Sequence, residues 1–170
     1  DGNFIAGTNS GFDVRGEGEN LQLLMLSASL PGAQVGSFKC HTYDLGTATT
    51  ISVIDKNGNY IGGSISAGVG ISLEALTSKT ALLQSVEIEA PEKVIGSNTV
   101  DCIQSGLIYG CAAMLDGMAS RLEKELGKPI KTMVATGGLA KEIVACCEKE
   151  IVFNKDLVLQ GLLVIYKKNR

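Results

Sequence analysis

Asp44-Leu45-Gly46-Thr47-Ala48-Thr49-Thr50 gathers a carboxylate, a glycine and three hydroxyls within seven residues. Each part has a use in holding phosphate. Gly46 lets the backbone come close to a ligand, and the N–H groups with the Thr47 and Thr49 hydroxyls can donate to phosphate oxygens. Asp44 can hold Mg²⁺ or another cation beside them. The same heptad also reads as an ordinary strand start whose Asp and Thr cap a turn. Ala135-Thr136-Gly137-Gly138 follows a buried-strand pattern and precedes a helical one. Two glycines there permit close ligand approach, while a helix N-terminus offers unpaired N–H groups to a nucleotide. A tight strand-to-helix turn is the alternative.

The elements that must position these residues can be read from periodicity. Thr49 to Ile54 is β-branched and Tyr60 to Ile65 resumes after Asn57-Gly58, a strong hairpin signal. Ile71, Leu73, Leu76 and Leu82-Leu83 fit a short amphipathic helix, and Ser85 to Glu89 alternates as a strand or extended segment before Pro91. From Asn98 to Gly127 the apolar residues recur near every 3.6 positions. This predicts one long helix, with Asn98 or Thr99 as N-cap and Gly127 at the C-cap. Lys131 to Ala135 reads as a buried strand, Leu139 to Glu148 as a helix and Ile151 to Phe153 as a short strand. Asp156 can cap a last helix with Leu157, Leu159, Leu162, Leu163 and Tyr166 facing inward. The apolar run Leu21 to Leu30 fits a buried strand or a short helix, and Pro31-Gly32 then turns the chain. The order of elements implies an α/β layered domain led by a hairpin.

Composition narrows the function. The chain has 170 residues, 45% apolar and 19% charged, with 15 Lys+Arg against 18 Asp+Glu and a net charge of −3. No broad cationic field is available for nucleic acid or anionic lipid. Twenty-one glycines against three prolines and no tryptophan favour a tightly turned α/β chain over an all-β sandwich. No apolar run has the length of a membrane helix and the N-terminus lacks the pattern of a signal peptide, so the expectation is a cytoplasmic protein. Five cysteines (Cys40, Cys102, Cys111, Cys146, Cys147) without CxxC spacing suggest reduced, mostly buried thiols. Cys40-His41 is no metal pair, because neighbours on a strand face opposite ways.

A DxGT hairpin followed about ninety residues later by a TGG turn resembles the actin, hexokinase and heat-shock ATPase superfamily. The likeness is closer over residues 44 to 170. DLGTATTISVIDKNGNYIGGSISAGVGISLEAL, then IGSNTVDCIQSGLIYG, VATGGLAKEI and LQGLLVIYKKN, resemble the C-terminal half of the type III pantothenate kinase family. The resemblance implies an α/β, ribonuclease H-like (actin-like ATPase) domain with a mixed sheet flanked by helices. It implies a transferase that phosphorylates pantothenate with ATP in coenzyme A biosynthesis, helped by Mg²⁺ and a monovalent cation (K⁺ or NH₄⁺). It further implies a homodimer with its sites near the subunit interface.

Carried over by resemblance, Gly46, Thr47 and Thr49 match the family's second phosphate motif and Asp44 its cation ligand. Thr136, Gly137 and Gly138 match the adenosine motif. Thr99 matches a threonine that contacts pantothenate, and it has a structural reason to stand at a helix N-terminus as well. Gly62, Gly63 and Gly68 match the family's GGxIxPG stretch, with Ala67 in place of the proline. Two family features find no counterpart. The first phosphate motif, a strand followed by DxGNT, is absent, and so is the GxDR segment that supplies the base. Asp13-Val14-Arg15-Gly16 does not fit that pattern, so no catalytic base is named. Residues 1–43 are therefore read as an N-terminal segment that adds a strand to the sheet, and residues 44–170 as the kinase-like domain. Two functions stay open: a pantothenate kinase, or a truncated or engineered non-catalytic domain that binds nucleotide or dimerises through the long helix.

Overall fold

The computed structural model describes residues 40–55, 60–79, 83 and 85–168. The Leu21 to Leu30 run, its Pro31-Gly32 turn and the Asn57-Gly58 hairpin signal lie outside them. Five strands form one sheet: β1 Cys40–Leu45, β2 Ala48–Ile54, β3 Tyr60–Ala67, β4 Thr132–Thr136 and β5 Val152–Phe153. Four helices complete the chain: α1 Val69–Lys79, α2 Thr99–Leu126, α3 Ala140–Val144 and α4 Leu157–Lys168.

The strand order is β3-β2-β1-β4-β5. β1 pairs antiparallel with β2 and parallel with β4, and β4 pairs parallel with β5, so the sheet is mixed as expected. The central strand β1 takes in Cys40 to Tyr43, which the sequence reading had left in the N-terminal segment. Tyr43 and Leu45 are its apolar anchors, buried beside Ile51, Met133 and Ala135. Alternation along the strands puts these residues on one face of the sheet. The Tyr43 hydroxyl donates to Met133 Sδ at 3.4 Å, which satisfies its polar tip inside the core.

α2 covers that face through Ile103, Leu107, Ile108, Ala112, Leu115 and Ala119. Both of its ends are capped as predicted. Asn98 Oδ1 accepts from the Asp101 N–H at 3.0 Å, and Gly127 at φ 65° turns the chain out of the helix. The Ser85 to Glu89 segment joins no sheet ladder. Side chains of α2 take carbonyls of the chain between residues 87 and 94 instead: Gln104 Nε2 donates to Glu87 O at 3.0 Å, Tyr109 Oη to Pro91 O at 3.0 Å, and Ser105 Oγ to Val94 O.

Two predicted helices need correction. The segment Leu139 to Glu148 is helical only over α3, because Cys146 N and Cys147 N bond back to Ile143 O and Val144 O, three residues earlier. That tighter winding ends the helix. Asp116 of α2 then fixes the chain beyond it, its carboxylate accepting the Glu148 and Lys149 N–H groups at 2.8 and 2.9 Å. In α4, Leu157 is buried, but Leu159, Leu162, Leu163 and Tyr166 are exposed rather than inward-facing.

Candidate functional site

The two central parallel strands carry the two motifs at their carboxyl ends, where open α/β sheets bind ligands. Asp44 pairs with Thr136 in the β1–β4 register. Gly137 follows at φ 108°, and a Cβ there would stand 2.7 Å from Leu45 C and O and 2.9 Å from Leu45 N. The absence of a side chain thus lets the TGG turn lie directly on the backbone of the Asp44-Leu45-Gly46 turn. Gly46 and Thr47 are exposed at the tip of the β1–β2 turn, and Asp44 Oδ1 folds over it, 3.5 Å from where a Gly46 Cβ would be. Gly138 is exposed with nothing within 4 Å of a Cβ position. Thr136 is buried.

Gly68 supports this arrangement from below. It is buried, a Cβ on it would collide with the Thr47 and Gly46 carbonyls, and its own carbonyl accepts the Ser72 N–H at 2.9 Å to start α1. Gly62 and Gly63 sit elsewhere. They pair with Val53 and Ser52, and Ser52 is about 13 Å along β2 from the turn at Ala48. A Gly63 Cβ would strike the Ile51 carbonyl, which gives that glycine a packing reason of its own. Thr49 points into the protein. It is 1% exposed, its Oγ1 has no well-formed hydrogen bond among the described residues, and its closest polar association is with the Cys111 thiol of α2.

Thr99 lies in a different feature, a groove of about 1170 Å³ between α1 and the first half of α2. The groove starts at Ala67, beside Gly68, and reaches Leu83, passing Ile71, Ala75, Gly96 and Thr99. Its lining is mainly apolar and includes one charged side chain, Lys79. Sequence reading passed over Lys79, whose signal is the single cation of its helix, placed at the C-terminal end.

The thiols are less buried than expected. Cys102 is exposed near the start of α2, and Cys111, Cys146 and Cys147 are partly covered where α2 meets the end of α3. Burial pushes the Cys147 thiol up to about 12, and the Asp116 carboxylate and the Cys111 and Cys146 thiols add to the rise. Cys111 is raised by burial, with the Thr49 hydroxyl pulling it the other way. Such thiols stay protonated and act as packing groups.

No cluster of three or more His, Cys, Asp or Glu suited to a metal occurs among the described residues. The donor set at the β1–β2 turn still fits Mg²⁺, which binds through one or two carboxylates together with substrate phosphates rather than in an all-protein cage. Asp44 folded over Gly46 supplies such a carboxylate. No helix among the described residues is long and apolar enough to cross a membrane.

Comparison with known proteins bears on the family and the fold. Residues 32–121 match the family model described as type III pantothenate kinase. A type III pantothenate kinase of Jannaschia sp. (strain CCS1) is 43% identical over 134 residues, covering 77% of this chain and 50% of the relative. The chain spans about half the length of the curated relatives it matches. Among solved structures, a Baf family protein from Campylobacter jejuni, described as a transcriptional activator, superposes with a TM-score of 0.61 at 19% identity. That match covers 90% of this chain and 66% of that one. An archaeal actin homologue superposes with a TM-score of 0.56 at 13% identity, covering 90% and 54%. The fold is that of the actin-like ATPases.

Proposed function

Because this chain belongs to the type III pantothenate kinase family, we propose that it forms the nucleotide-gripping half of an ATP-dependent pantothenate kinase of coenzyme A biosynthesis. The observation that carries this reading is the seating of Gly137 on the Leu45 backbone, which joins the two turns into one platform. On that platform the exposed Gly46 and Thr47 N–H groups and the Thr47 hydroxyl hold the phosphates. Thr136, Gly137 and Gly138 shape the edge where the adenosine lies. Asp44 is the residue that would hold Mg²⁺ beside this turn, and the ion would supply positive charge against the phosphates.

Pantothenate is assigned to the groove, with the Thr99 hydroxyl near one end and the Lys79 ammonium available to its carboxylate. The groove is larger than a small hydroxy acid fills. Its remaining apolar wall, with the exposed Val94 and Ile95 beside Gly96, is the surface assigned to a second copy in a homodimer. A monovalent cation and a cytoplasmic location complete the proposal on the family likeness alone. Thr49 enters as a support of the turn, since its hydroxyl is turned inward.

The test is calorimetric titration with ATP and Mg²⁺, with and without pantothenate, alongside a coupled assay of ADP release. Binding of both ligands, each strengthening the other, together with pantothenate-dependent ADP release, is the expected result. The alternative reading is a nucleotide-binding or dimerising domain without turnover. ATP binding with no pantothenate-dependent release would select it, and no binding at millimolar ATP would remove both.

A further inference from the structure

Thr49 is buried in the rungs of the sheet beside the phosphate turn, paired with Leu45 on one side and Ser66 on the other. Leu45 is also the residue whose backbone Gly137 lies on. The Thr49 hydroxyl has no well-formed hydrogen bond among the described residues. A buried hydroxyl in that state costs stability, and valine would fill the place without it. The surroundings are tied more loosely than the rest of α2. Elsewhere that helix grips the chain by short bonds between nitrogen and oxygen: Gln104 Nε2 to Glu87 O at 3.0 Å, and the Asp116 carboxylate to the Glu148 and Lys149 N–H groups at 2.8 and 2.9 Å. Facing the turn it presents sulfur. Ser66 Oγ stands 3.4 Å from the Thr49 carbonyl and 3.5 Å from Met114 Sδ. Cys111 lies three residues before Met114, on the same side of α2, and its thiol is the polar group nearest the Thr49 hydroxyl. Thiol and thioether sulfurs are weak hydrogen-bonding partners, so a small movement of the strand end costs little here.

We propose that Thr49 and Cys111 are positioning residues of the nucleotide platform: the bond between the Thr49 hydroxyl and the Cys111 sulfur, unmade in the free protein, forms when the β1–β2 turn settles onto phosphate. The inference rests on the nucleotide reading above and adds to it a part of α2 that touches no ligand. A phosphate held by the Gly46 and Thr47 N–H groups pulls on the start of β2, and Thr49 is the second residue of that strand. Its hydroxyl then has a partner in the bound state alone, and a contact made in one state alone shifts the equilibrium toward that state. Thr47 and Thr49 thus serve the same phosphates from two sides of the turn. Thr47 does so by contact, and Thr49 by locking β2 to α2 once the contact is made.

The experiment is calorimetric titration of the full chain with ATP and Mg²⁺, set beside thermal melts, for Thr49→Val, Thr49→Ser, Cys111→Ala and the Thr49→Val, Cys111→Ala pair. Thr49→Val should melt no lower than the unaltered chain, since it removes an unbonded buried hydroxyl, yet bind ATP about fivefold more weakly. Thr49→Ser should do the reverse, losing melting temperature with its methyl group and keeping the affinity. Cys111→Ala should weaken binding by the same factor as Thr49→Val, and the pair by no more than either alone. The S–H stretching band of Cys111, identified by its loss in Cys111→Ala, should shift when ATP is added. Undiminished ATP binding by Thr49→Val would overturn the assignment. So would losses that add in the pair, or an S–H band that bound ATP leaves in place. If Thr49→Val fails to fold, the Cys111→Ala titration and the band shift carry the decision. An unaltered chain that binds no ATP removes the nucleotide reading and this inference together, whereas one that binds ATP with the variants indifferent removes only this inference.

Discussion

Gly137 and Gly138 are adjacent in sequence and opposite in what they tolerate. Gly137 sits at φ 108° with the Leu45 backbone where its Cβ would be, so Gly137→Ala adds backbone strain to a collision that only main-chain movement can relieve. The expected cost is about 1–3 kcal/mol of stability, with ATP affinity lost in parallel as the two turns part. Gly138 has open space, so Gly138→Ala should leave stability within about 0.5 kcal/mol and lower ATP affinity alone. Thermal melts paired with calorimetry separate the two variants, and equal effects on both readouts would contradict this geometry. At the exposed Thr47, Thr47→Val removes a donor to a charged phosphate, a bond of about 1.5–3 kcal/mol, so affinity should fall roughly tenfold or more while the melt is unmoved. The hydroxyls of Thr47 and Thr49 look equivalent in the sequence. Thr47 lies in the open β1–β2 turn and Thr49 inside β2 with its side chain in the core, and that difference is invisible until the end of the turn and the register are known.

The joint between α2 and the segment after α3 is the element that holds β4 and β5 in place. Asp116 receives two N–H groups from residues 148 and 149, and Glu123 accepts the Ile130 N–H at 3.0 Å while pairing with Lys149. Asp116→Ala leaves those N–H groups without their acceptor and should cost about 1–3 kcal/mol. The same carboxylate helps raise Cys147, whose folded value near 12 lies above its ordinary 9.0. Below pH 9 the thiol is protonated whether the chain is folded or not, so its contribution to stability is constant. Between about 9 and 12 only the unfolded chain releases the proton, so stability should fall as pH rises through that window. Melting curves should decline less steeply there in Cys147→Ala, and at pH 8 a thiol reagent should reach the exposed Cys102 well before Cys147. An equal labelling rate at both sites would contradict the packing. How far such elements can be read in advance follows from where their signals lie. α2 was legible because Asn98, Gly127 and a 28-residue apolar period all agree. The early end of α3 was not, since it depends on Asp116, over thirty residues away in the chain. β1 was read only from Asp44 onward because His41 and Thr42 interrupt its apolar pattern, although the sheet pairs it on both sides.

For the molecule as a whole, the motifs and the mixed sheet were legible from spacing and resemblance, whereas its apolar surfaces were not, because coverage depends on what else is present. Amphipathic patterning predicted that Leu159, Leu162 and Leu163 face inward, and the fold leaves them outside. The same logic applies to the end of the extended segment before α2, where Val94 is 62% and Ile95 86% exposed next to the groove. Gly96 holds this stretch against the first turn of α2, since a Cβ there would stand 2.5 Å from the Cys102 nitrogen. The two side chains are therefore presented on a fixed backbone, and burying them would remove apolar area from water at about 25 cal/mol per Å². If a second copy covers this wall, the chain should sediment as a dimer at micromolar concentration. Ile95→Glu should then shift it to monomer without altering its circular dichroism spectrum, because the residue contributes nothing to the monomer's own core. Pantothenate assigned to the adjoining groove should bind more weakly to that monomer, since Thr99 and Ile95 flank the same short turn. A dimer indifferent to Ile95→Glu would place the subunit contact elsewhere and separate pantothenate binding from association.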